Sequence, residues 1–229
     1  MKIDKIPLGA RRAADAGPAP SDHRIQRKEV GSGLDIQLFA AKLDRPLTDE
    51  ETDTFLRIMP KERRERLMKV PKLELRQEPL CAYAILGMAV HALYGWNKLP
   101  PMRYTRYGKP EFEDYPNVQF NISHTRKAVL VGLHDEPLGV DIEKIRPVSE
   151  RTMQRIAGTT TQQAFFESWV RRESRSKWNG AGLGTVREQE SPALRGERII
   201  YLDTFPGYAA CVCTHSNAKV ARVRSFTVD

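Results

Sequence analysis

The chain has 229 residues, 40% of them hydrophobic and 29% charged, with a mean hydropathy of -0.52, which suits a globular protein and excludes fibrous and membrane-spanning classes. At about 150 residues per domain that length fits one large domain or two small ones. A net charge of +8, from 37 basic and 29 acidic residues, favours a polyanionic ligand or an acidic partner.

Residues 1–34 mix Gly, Pro, Ala and charge without a helix or strand period, and read as a flexible N-terminal extension. Asp4, Lys5, Arg11 and Arg12 break any apolar run a secretory signal would need, so the expected compartment is the cytoplasm. From Asp35 the pattern changes. DIQLFAAKL reads as a strand, and residues 47–70 read as helical pieces with Thr48 as an N-cap. Segment 61–76 carries seven basic and three acidic residues, a basic arm steeper than the chain average. It leads into PLCAYAILGMAVHALYGW, where Pro79 suits a first helical turn and apolar residues on nearly every side imply a buried helix. Its apolar run, Cys81 to Val90, is far shorter than the ~20 residues of a bilayer span, so no membrane association is expected.

The middle of the chain is β-rich: VQFNISH, KAVLVGLH, a turn at Asp135–Glu136–Pro137, then LGVDIEKI. Residues 150–178 read as one helix stopped by Gly180 and Gly182, and RIIYLDTF and YAACVCTHS close as two strands. KAVLVGLHD and YAACVCTHS are alike in character, which predicts two similar α/β halves, 35–137 and 138–229. Cys211 and Cys213 share a strand face; with no matching Cys or His pair they read as small buried hydrophobes rather than metal ligands.

Asp141 and Glu143 are two apart on a strand, so both carboxylates leave the same face. Such a pair repels itself unless a cation lies between, and hard oxygen donors suit Mg²⁺; a solvated acidic edge is the bland alternative. Phe165, Trp169, Glu173 and Lys177 form a helical stripe at spacing four, which alone is no more than a surface ion pair above two core aromatics. Together the carboxylates and the lysine suit phosphoryl transfer, with a metal bridging pyrophosphate oxygens and an ammonium balancing the leaving group. Ser123 and His124, ending a strand, can donate to phosphate; as a nucleophilic pair they lack a third member. Aromatic and basic residues do not interleave and no nucleic-acid-binding motif is present, so a nucleic-acid partner is not expected.

YGKP at 107–110, FNISH at 120–124, GVDIE at 139–143 and WVRRES...K at 169–177 resemble, in order, the motifs of the surfactin-type 4'-phosphopantetheinyl transferases. The resemblance spans most of residues 35–215. It implies a pair of α/β halves related by a pseudo-twofold axis, with coenzyme A between them. It implies transfer of the 4'-phosphopantetheine arm of coenzyme A to a serine of an acyl or peptidyl carrier protein by a monomer. Asp141, Glu143 and Glu173 would hold Mg²⁺, with Mn²⁺ as an alternative. Glu173 would also be the base for the serine hydroxyl, and Lys177 would contact the pyrophosphate. Lys109, Ser123 and His124 would face coenzyme A, as would Lys61, Arg64 and Arg76 of the basic arm, with Arg63 or Arg66 taking those places if the register slips. Two departures stand out: Arg172 replaces the lysine that the family places before the helix glutamate, and residues 142–168 form a short connection. A homologue that binds coenzyme A but has lost or restricted carrier activity is the alternative these departures imply.

Overall fold

The computed structural model describes residues 35–180 and 196–229, so the N-terminal extension and the Gly182 stop lie outside the described residues. Strand β1 (Gln37–Leu43) is followed by helices α1 (Asp49–Ile58), α2 (Lys61–Met68) and α3 (Gln77–Tyr94), a short hairpin of β2 (Met102–Tyr104) and β3 (Pro110–Phe112), then β4 (Gln119–Thr125) and β5 (Ala128–His134). The second half runs β6 (Leu138–Lys144), α4 (Glu150–Ala157), α5 (Gln162–Asn179), β7 (Arg198–Tyr201) and β8 (Tyr208–Thr214), and β9 (Arg224–Val228) ends the chain.

The larger sheet has the order β4-β5-β1-β9 and the smaller one β6-β8-β7. In each half a strand leads through a helical region to a hairpin, and the last strand of the hairpin lies between the other two: β5 between β1 and β4, β8 between β6 and β7. Those central strands are the two segments of similar apolar character in the sequence, and both are buried along their whole length because each is covered on both faces.

Alternation along the strands sorts the core into three layers of packing. Phe39, Ala41, Leu43, Val129, Val131 and Leu133 face α1 and α3. Leu38, Ala40 and Leu130 meet Leu138, Val140, Ile142, Ala210 and Val212 between the two sheets. Ala209 and Cys211 face Phe165, Phe166 and Val170 of α5. The result is helix, sheet, sheet, helix, with a mixed α/β architecture as the sequence predicts.

Local signals account for most element ends. Thr48 and Glu51 form a reciprocal capping box at the start of α1, and Pro79 lies in the first turn of α3, which stops at Gly95 in a left-handed conformation. Two expectations need correction. Residues 150–178 are two helices rather than one, because Gly158 at φ 62° ends α4 and Thr161 caps α5. The final strand β9, absent from the sequence reading, returns from the second half to pair in parallel with β1.

Candidate functional site

Along β6 the residues alternate between the inter-sheet core and α5. Leu138, Val140 and Ile142 point inward, leaving Gly139, Asp141 and Glu143 on the opposite face. A Cβ at residue 139 would fall on the Ser174 carbonyl oxygen and the Trp178 amide nitrogen, so only glycine lets α5 lie this close against the strand. That approach brings Glu173 and Lys177 to the acidic face of β6.

One edge of β6 pairs with β8. The other edge would carry bare amides and carbonyls, and it is met by side chains instead of a strand. From β4, Asn121 Oδ1 accepts from the Val140 amide at 2.9 Å, Ser123 Oγ from Ile142 at 3.4 Å and Thr125 Oγ1 from Lys144 at 3.5 Å. The Leu138 and Val140 carbonyls accept from Lys109 Nζ at 3.3 Å and Lys177 Nζ at 3.2 Å. Three β4 side chains at spacing two thus join the halves, and two lysines are drawn into the seam.

Charge concentrates there. Lys177 Nζ lies 2.6 Å from Asp141 Oδ1 and 2.9 Å from Ser123 Oγ, and Ser123 donates to the same Asp141 oxygen at 2.7 Å. Asp141 is only 4% exposed, and its Oδ2 has no hydrogen-bond partner. Glu143 Oε2 accepts from Thr125 Oγ1 at 2.9 Å and Arg146 Nη1 at 3.1 Å. Glu173 is 9% exposed; burial, then the Asp141 charge, push its carboxyl up to about 7 against the opposing pull of Lys177, with Glu143 adding a smaller push.

A buried carboxylate oxygen left unsatisfied is costly, and three mutually repelling oxygen donors call for a hard cation. The unpartnered Asp141 oxygen is a donor of the kind that a hard cation such as Mg²⁺ or Mn²⁺ takes. Among the described residues no group of three or more His, Cys, Asp or Glu side chains is drawn together as a metal-holding cluster.

The predicted contacts to the polyanion divide. Lys109 is half-buried and reaches the seam; burial lowers its pKa, opposed by Glu111. His124 keeps an exposed edge, yet desolvation by the surrounding protein and then the Lys177 charge lower its pKa, with Arg63 acting in the same sense. Lys61 faces solvent beside Glu65, Arg64 reaches the Leu56 carbonyl at 3.4 Å, and Arg76 holds the Val70 and Met68 carbonyls at 2.7 and 3.1 Å. The basic-arm residue whose charge acts on His124 is Arg63, stacked over Tyr83, and Arg66 lies over Tyr104. Arg172 is buried on α5.

Sequence reasoning passed over Asn121, Thr125 and Arg146. The first two flank Ser123 at spacing two, so period two alone places all three on one face. Cys81, Cys211 and Cys213 are buried free thiols, as expected of small hydrophobes.

The two sheets meet at the buried carboxylates of Asp141 and Glu173 and the half-buried Lys109 and Lys177, with arginines of α2 nearby. No family model matches the chain. It is 27% identical over 206 residues to the 4'-phosphopantetheinyl transferase ffp of Bacillus subtilis, an alignment covering 78% of this chain and 92% of that protein. Against the 4'-phosphopantetheinyl transferase Sfp of Bacillus subtilis strain 168 the identity is 26% with the same coverage. Against the 4'-phosphopantetheinyl transferase AcpT of Salmonella typhimurium it is 30% over 139 residues, covering 51% of this chain and 68% of that protein. The chain belongs to the 4'-phosphopantetheinyl transferase family.

Proposed function

We propose that the protein transfers the 4'-phosphopantetheine group of coenzyme A to a serine of an acyl or peptidyl carrier protein, as a holo-acyl-carrier-protein synthase working as a cytoplasmic monomer. The observation that carries this reading is the buried Asp141 carboxylate, one oxygen unpartnered and the other held by Lys177 and Ser123, set beside the buried Glu173.

In this reading Glu173 takes the proton of the serine hydroxyl. The serine oxygen attacks the β-phosphorus of coenzyme A, the bond from that phosphorus to the bridging oxygen breaks, and 3',5'-ADP leaves with the electron pair. Lys177 offsets the charge gathering on the leaving group. Asp141, Glu143 and Glu173 are the residues that would hold Mg²⁺ or Mn²⁺, which when bound neutralises pyrophosphate charge. Ser123 aligns Asp141 and Lys177 through its two hydrogen bonds. In the same reading Lys109 and His124 would meet coenzyme A phosphates, with Lys61, Arg64 and Arg76 as outer contacts and Arg63 favoured among the basic arm by its effect on His124.

The test is mass spectrometry of an apo carrier after incubation with the protein, coenzyme A and Mg²⁺, beside Glu173→Ala. A gain of one phosphopantetheine arm that needs the ion and is lost in the variant is the expected result. No gain across a panel of carriers, with coenzyme A still bound, would replace this reading with that of a coenzyme A-binding homologue.

A further inference from the structure

Among the described residues the exposed aliphatic side chains cluster. Met68, Leu73 and Leu75, at 48%, 66% and 57% exposure, all lie on the link from the end of α2 to the start of α3, whereas the other large exposed hydrophobics are the tyrosines Tyr107, Tyr115 and Tyr201. Isolated exposed leucines need no explanation, but three aliphatic chains within eight residues form a patch.

The link is held in place from behind. Arg76 donates to the Val70 and Met68 carbonyls and its Nη1 lies 3.7 Å from Met68 Sδ, which fixes the backbone while the aliphatic groups face out. Arg66, Lys69 and Lys72 are exposed around the patch, and the segment 61–76 has seven basic residues against three acidic. The same short helix α2 carries Arg63, whose charge reaches His124, so the patch continues outward from one rim of the site.

A phosphate backbone gains nothing from leucines, and a bilayer would favour a broader apolar face. Aliphatic groups flanked by Arg66, Lys69 and Lys72, with Glu74 the one acidic residue between the leucines, fit a protein surface that is apolar at its centre and acidic at its margin. Resting on the transferase reading above, we propose that residues 68–75 dock the protein substrate, engaging an acidic, apolar-centred surface beside its acceptor serine.

The experiment follows holo-carrier formation and, separately, calorimetric binding of the apo carrier, using the full chain, Leu73→Ser/Leu75→Ser and Lys69→Glu/Lys72→Glu. All four positions are exposed, so folding should be undisturbed. The expected result is a carrier KM raised about tenfold in each variant, with kcat and coenzyme A affinity unchanged, matching weakened carrier binding. Added salt should raise KM for the wild type more than for the charge-reversed variant. An unchanged KM and unchanged carrier binding would overturn the proposal. So would loss, in the variants, of wild-type binding to phosphatidylserine vesicles or duplex DNA, or of wild-type self-association, while carrier binding persists. If the wild type makes no holo carrier, the transferase reading fails, and the binding arm still decides whether this surface receives the carrier.

Discussion

Glu173 is held in a setting that disfavours its charge: buried on α5, it faces the Asp141 and Glu143 carboxylates across the seam, with Lys177 already engaged by Asp141 at 2.6 Å. Its ordinary value near 4.5 rises to about 7 in the folded, metal-free protein. Between those values the folded state holds a proton that the unfolded chain has released, so the stability this group contributes falls as pH rises and is gone above about 7. Glu173→Gln removes the titration. Metal-free thermal unfolding should therefore show the variant gaining on the wild type between pH 5 and pH 8, by roughly 1–2 kcal/mol once solvent screening is allowed for. Mg²⁺ should recover stability at pH 8 in the wild type far more than in the variant. Parallel pH profiles for the two proteins would show that the carboxyl is not strained.

The element that joins the halves is β4, whose Asn121, Ser123 and Thr125 stand in for a missing neighbour along the edge of β6. Asn121 makes the shortest of these bonds, to a buried amide, and truncating it leaves that amide without a partner. Asn121→Ala should cost about 1–3 kcal/mol in urea unfolding, whereas a loss under half a kcal/mol would mean that the seam rearranges. This seam marks where sequence reading ended. The acidic face of β6 followed from period two and the Glu173–Lys177 stripe from spacing four, because both are properties of one segment. That Ser123 would bridge Asp141 and Lys177 depends on β4 meeting β6, a pairing through side chains that no single segment encodes. Gly158 broke the predicted long helix because its left-handed backbone ends α4, a signal hidden inside an otherwise helical stretch. The three-residue strands β2 and β3 were too short to show alternation.

At the scale of the molecule, the two halves share a strand arrangement, and the larger sheet is completed by β9, which returns from the second half. The buried Val228 and the half-buried Phe226 pack with the core under α3. Deleting residues 224–229 should therefore expose the edge of β1 as well as open that core, lowering the unfolding midpoint and producing aggregates on size-exclusion chromatography. A monomeric deletion variant of full stability would show that β9 is dispensable. The similar central strands were legible as apolar runs, but β9 was not, since RSFTV is brief and its partner β1 lies at the other end of the fold.

That pairing also orders events in time. Arg45 donates to the Asp229 carbonyl across a separation of 184 residues, and Phe39 to Leu43 register with Arg224 to Val228. During synthesis β1 leaves the ribosome well before β9, so the edge that β9 covers waits through that whole separation for its partner. Such a long-range closure slows folding and leaves β1 open to wrong partners until β9 arrives.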